Sequence, residues 1–159
     1  MKMKTAVIYA SSHGTAEKVA EKIQNDLGGD GISTFNLKTN KNIDLSLFDN
    51  IVIGGSIHAG SVQGSVKEFC KKNMVDLLQK KIALYVCAMN EPEYEQELKG
   101  AFPEMLYNYA VCKKVVGGEF NFDKMNFLER VIVKKVSGIN ESVQKIDTSA
   151  IDEIVAALK

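Results

Sequence analysis

Tryptophan is absent from this 159-residue chain, which also has only two prolines, two histidines and three cysteines. Cys70, Cys87 and Cys112 are widely spaced and odd in number, and no CxxC or CxxH pair occurs. That pattern excludes a structural metal site of the usual kind and predicts reduced thiols in a cytoplasmic protein. No apolar run approaches the roughly 18 residues that a membrane span needs. Met1-Lys2-Met3-Lys4 enters a strand at once, without a signal-peptide layout. Charge of one sign is missing too. Twenty basic and twenty acidic residues cancel, so nothing points to nucleic acid as a partner.

Several chemical signatures are also lacking. Neither GxGxxG nor GxxxxGK[ST] occurs, so a dinucleotide or a Walker-type triphosphate fits poorly. Ser11 and Ser12 have no GxSxG elbow around them. Cys87 lies in a predicted buried strand, where inert packing is its expected fate. Tyr9-Ala10-Ser11 and Gly54-Gly55-Ser56 hold no acidic cluster, which excludes a phospho-acceptor switch. No catalytic residue and no metal ligand is assigned.

What is present concentrates between Lys4 and Leu27. The apolar run Ala6-Val7-Ile8-Tyr9-Ala10 passes into Ser11-Ser12-His13-Gly14-Thr15-Ala16, then into a helix-period segment from Glu17 to Leu27. A buried strand ending in a hydroxyl-rich turn that opens a helix is a phosphate cradle. The turn and first-helix amides lack chain partners, and the helix dipole favours an anion there. Ser and Thr add donors, and Gly14 lets the backbone approach closely.

A βα rhythm runs through the rest. Predicted strands cover Val7–Ala10, Ile32–Leu37, Ile51–Gly55, Ile82–Ala88 and Val115–Phe120. Between them, Val66, Phe69, Cys70, Met74, Leu77 and Leu78 mark one helix and Tyr94–Tyr109 another. Two more are expected at about Asp123–Lys135 and Ile151–Leu158, with a short helix around Leu45–Phe48. Strands separated by helices imply a parallel sheet with right-handed crossovers. The expected fold is a three-layer, doubly wound α/β domain spanning 1–159, five strands in the order 2-1-3-4-5. An extra helix is placed around 123–135.

Tyr9-Ala10-Ser11-Ser12-His13-Gly14-Thr15-Ala16-Glu17 resembles the FMN-phosphate loop of flavodoxins, whose sheet is a standing illustration of that strand order. His13 replaces a common Thr, and Ala16 stands where a final Thr is usual. The resemblance implies FMN as cofactor, with Ser11, Ser12, His13, Gly14, Thr15 and Ala16 at its phosphate. It implies that Ser56, Ile57, His58, Ala59 and Gly60, after the third strand, flank the ring. No Trp or Tyr shields the flavin there. Ala88, Met89, Asn90 and Glu91, after the fourth strand, would face its polar edge. The expected function is electron transfer through bound flavin, to a redox protein or a quinone.

The extra amphipathic segment after the fifth strand, with Phe127, Leu128, Val131 and Ile132, narrows the resemblance. Together with Val52-Ile53-Gly54-Gly55-Ser56-Ile57-His58 and Val66-Lys67-Glu68-Phe69, it is similar to flavodoxin-like menaquinone-dependent protoporphyrinogen oxidases. That likeness implies, as the alternative, a protoporphyrinogen IX dehydrogenase-like enzyme or an FMN-dependent quinone reductase. The family's basic residues after strand 4 are replaced here by an acidic stretch. Lys124, Arg130, Lys134 and Lys135 could form a basic face beside the apolar one, suited to anionic groups or a peripheral membrane contact.

Overall fold

Burial on both faces selects the central strands. In the computed structural model, which describes residues 3–120, 126–137 and 143–159, β1 (Thr5–Tyr9) is buried throughout. β3 (Asn50–His58) is buried as far as Ser56, and β5 (Lys81–Cys87) from Ile82 onward. Strands covered on both sides lose the apolar–polar alternation, as these have. β2 (Ile32–Asn36) and β6 (Cys112–Val115) lie outside them, so the parallel order is β2-β1-β3-β5-β6. Counting only these five strands, this is the expected 2-1-3-4-5 order.

Helices complete three layers. α1 (Thr15–Asp26) and α7 (Thr148–Leu158) cover one face, through Val19, Ala20, Ile23, Ile151, Ile154 and Leu158. α2 (Gly64–Lys72), α3 (Met74–Leu77), α4 (Tyr94–Ala101) and α5 (Glu104–Tyr109) cover the other, through Val66, Phe69, Leu77, Leu98 and Leu106. Asp147 caps α7 by accepting from the Ala150 amide. Gly28 and Gly29, at φ 100° and 73°, end the first crossover helix.

Five boundaries differ from the sequence expectation. The one helix expected from Val66 to Leu78 is two, α2 and α3, broken at Asn73. The third strand runs on to His58 and folds back through Ala59 and Gly60 to pair with β4 (Ser61–Val62), so Ser56, Ile57 and His58 are strand residues, not loop. The long helix expected over Tyr94–Tyr109 is two. Phe102 is extended because Pro103 follows it and disfavours helical geometry there. The expected fifth strand, Val115–Phe120, is also two elements. The sheet strand β6 ends at Val115. β7 (Gly117–Phe120) turns away and pairs antiparallel with β8 (Val143–Ile146), which periodicity did not reveal. The turn rests on Gly117 at φ 72°, where a Cβ would stand 1.9 Å from the Lys145 carbonyl oxygen. Finally, the inserted helix, α6, spans Phe127–Ser137. Its expected start at Asp123 lies outside the described residues, as does Lys124.

Candidate functional site

The carboxyl ends of β1, β3 and β5 open onto a cleft of about 840 Å³. It lies where the strand order reverses, the position at which doubly wound sheets hold ligands. Its floor includes Ser56, Cys87 and Ala88, and its rim the β3–β4 turn, α4 and α6.

One end of the cleft is the turn after β1. Gly14, at φ 92°, is the residue before α1, and no side chain caps that helix start. The Ser11 hydroxyl instead accepts from the Gly14 amide at 2.9 Å and shapes the turn. Thr15 and Ala16 are the first two residues of the helix rather than part of the loop, and both are buried. His13 and Thr15 line the cleft. Ser12 is exposed, and its hydroxyl accepts from Gln63 Nε2 at 3.4 Å.

The second wall is the β3–β4 hairpin. Ser56, Ile57, His58, Ala59 and Gly60 all line the cleft. Gln63 Oε1 accepts from the Ser56 amide at 2.9 Å and fixes the strand end. The small residues before it are required by packing: a Cβ on Gly55 would meet Val62 at 2.5 Å. The His58 ring meets the His13 ring edge-on, centroids 5.4 Å apart. Desolvation against the cleft wall, and then the charge of His13, lower the His58 pKa, with Glu129 opposing, although the residue as a whole is exposed to solvent, which weakens the effect.

The third wall follows β5. Ala88, Met89 and Asn90 line the cleft, whereas Glu91 is exposed and lies outside its lining. Tyr94 starts α4 and donates its hydroxyl to the Ala88 carbonyl at 2.9 Å, so it braces this loop. Burial pushes the Cys87 thiol up to about 12, which leaves it without nucleophilic character at neutral pH. Glu97 also lines the cleft. Its Oε1 is buried without a hydrogen-bond partner, and burial, then Glu93, raise its carboxyl above the usual range.

Residues from the last third complete the site, and local pattern did not announce them. Gly118 and Glu119 on β7, and Glu129, Ile132 and Val133 on α6, join the lining. Glu129 Oε2 meets His13 Nε2 at 2.6 Å. Burial alone would raise Glu129, but the Asn126 amide and the His13 ring hold it below the usual carboxylate value. Phe127 and Leu128 remain exposed and do not pack on the sheet. Among the described residues no cluster suits a metal ion, and no helix is long and apolar enough to cross a membrane.

This architecture has relatives. The family model described as "Flavodoxin domain" matches residues 6–147, and the chain belongs to that family. Oxidised flavodoxin 1 from Bacillus cereus superposes with a TM-score of 0.56 at 15% identity, covering 97% of this chain and 95% of the other. A flavodoxin from the domain Archaea gives 0.55 at 15% identity, covering 97% and 99%. Rubredoxin oxygen:oxidoreductase from Desulfovibrio gigas gives 0.52 at 12% identity; it covers 98% of this chain, which spans only 37% of that protein. At these identities the likeness shows the fold. No curated protein matches the chain by sequence.

Proposed function

We propose that this protein is an FMN-binding electron-transfer flavoprotein, one flavodoxin-like domain with α6 as its addition. The observation that carries it is the uncapped start of α1, set beside the Ser11 turn at the end of a switch-point cleft. The residues suit the group. An anion fits the helix start, the cleft volume lies within the roughly 300–1,000 Å³ usual for cofactors, and the orphaned Glu97 oxygen offers a polar contact. Ser11 to Ala16 would hold the phosphate. Ser56 to Gly60 and Ala88 to Asn90 would flank the ring, with Glu91 at the margin. Bound FMN supplies one- or two-electron exchange; the protein supplies orientation and hydrogen bonds.

The electron partner in this proposal is a redox protein or a quinone. A quinone reductase, or a protoporphyrinogen IX dehydrogenase-like enzyme, is the second reading. It is favoured by Ile132 and Val133, which bring an apolar wall to the cleft mouth. The acidic stretch Glu91–Glu93 weighs against an anionic porphyrin at that edge. At about 100° per residue, Phe127, Val131, Lys134 and Lys135 fall on the side of α6 opposite Glu129 and Val133. That outward apolar and basic arc suits a peripheral membrane contact. A cytoplasmic location belongs to the same proposal and is supported by three free, buried cysteines.

The test is direct. The purified protein should carry a flavin absorbance, and mass spectrometry of the released cofactor should show FMN; FAD as the main species would refute the assignment. Quinone and protoporphyrinogen assays on the same holoprotein then separate a carrier from an enzyme.

A further inference from the structure

Glu119 stands at the helix start where the phosphate is placed. Its Oε1 accepts from the Thr15 hydroxyl at 3.1 Å and from Lys18 Nζ at 3.0 Å. Its side chain is only 7% exposed, so the carboxylate is committed to these donors rather than to water.

The position is imposed by the backbone. Ala88 donates its amide to the Gly117 carbonyl at 2.9 Å, and Asp147 donates to the Val116 carbonyl at 2.8 Å. A Cβ on Gly118 would stand 3.2 Å from the Ala88 carbonyl oxygen. β7 is therefore seated directly on the end of β5, and Glu119 is delivered to α1. Both basic groups beside the turn are met by carboxylates from the last third of the chain: Lys18 by Glu119 and His13 by Glu129.

A phosphate at the start of α1 would compete for the same Thr15 hydroxyl, which lines the cleft, and for the Lys18 ammonium one turn along the helix, which Glu119 holds. It also brings like charge against a buried carboxylate, where solvent screening is weak. We infer that Glu119 is a specificity-determining gate on the phosphate cradle, competing with the FMN phosphate for Thr15 and Lys18. This inference rests on the FMN reading above. It makes the phosphate contribute less to affinity than the cradle geometry allows, so cofactor retention is set by a residue of β7.

The experiment is titration of FMN and riboflavin into flavin-stripped wild-type protein and into Glu119→Gln, with thermal unfolding as a fold control. The amide can still accept from Thr15 but carries no charge. The preference for FMN over riboflavin should widen about tenfold in Glu119→Gln, with riboflavin affinity little changed. A preference that stays constant or narrows overturns the gate, and assigns Glu119 to bracing β7 against α1 alone. Lys18→Met supplies the independent arm. It should cost more FMN affinity in the Glu119→Gln background than in wild type, because only there is Lys18 released to the phosphate. Equal costs in both backgrounds also overturn the proposal. The two readings fail separately. FMN preference in wild type with no response to Glu119→Gln removes the gate alone; no preference in either protein removes the phosphate site as well.

Discussion

His13 and Glu129 lie 116 positions apart and meet at 2.6 Å across the mouth of the cleft. The contact joins the turn after β1 to the inserted helix. α6 turns Ile132 and Val133 toward the cleft and leaves Phe127 83% exposed. Glu129→Gln should therefore loosen α6 more than it lowers global stability. The side chain of Glu129 is 36% exposed, so solvent screening keeps the global cost to about 0.5–1 kcal/mol. Hydrogen exchange of the α6 amides should accelerate while the sheet amides stay protected. Unchanged exchange along 127–137 would show that the pair does not hold the helix.

The His58 environment sets an acid limit. Its charged form is disfavoured in the folded protein, so the unfolded chain binds more protons below the ordinary imidazole value of 6.5. Stability should fall as pH drops from about 6.5 through the lowered folded value. Denaturant melts of His58→Asn over that window should show a flatter profile than wild type. Glu129 acts lower in pH. Its folded pKa lies below 4.5, so its contribution is present above that value and is lost as pH falls through the folded one.

Gly14→Val addresses the cradle itself. Gly14 sits at φ 92°, a conformation strained for a β-branched residue. FMN affinity should drop more than tenfold, or about 1.4 kcal/mol. Flavin fluorescence titration checks it, and an unchanged Kd would move the phosphate elsewhere.

Tyr85 links the sheet to the same helix. Its hydroxyl donates to the Ala16 carbonyl at 2.9 Å, and a Cβ on Gly54 would stand 1.9 Å from its ring. Tyr85 is fully buried and has no room to yield. Gly54→Ala should cost about 1–3 kcal/mol or more by overpacking, and Tyr85→Phe about 1 kcal/mol for the lost hydrogen bond. Both are read by chemical denaturation. A neutral Gly54→Ala would mean that the ring can move aside.

Charge reversal at Lys134 and Lys135 tests the outward face of α6. Both are exposed, so stability should hold within about 0.5 kcal/mol. If this face guides a partner, reoxidation of the flavin by quinone slows and its salt dependence changes. A rate unaltered across ionic strengths would leave α6 as a wall of the cleft with no guiding role.

The buried first strand, the turn after it and the helix that follows, Thr5 to Asp26, were legible locally. Each is written in contiguous residues: an apolar run too uniform for an exposed strand, a hydroxyl turn around Gly14, and Val19, Ala20 and Ile23 at helical spacing. The helix break at Phe102 is signalled by Pro103, but the helical pattern on both sides of it, Tyr94–Ala101 and Glu104–Tyr109, masks that signal. The β7–β8 pair carried little signal, because a short strand beside two glycines has no periodicity of its own.

By itself, then, the sequence determined the central strands, the alternation that makes their sheet parallel and the turn that opens α1, because burial and turn chemistry act between near neighbours. Tertiary structure alone decided who shares the cleft. Glu119 reaches Thr15 across 104 positions and Glu129 reaches His13 across 116. Such pairs depend on where β7 and α6 are seated against β5 and the first turn, and no local propensity encodes a charge meeting its partner through the fold.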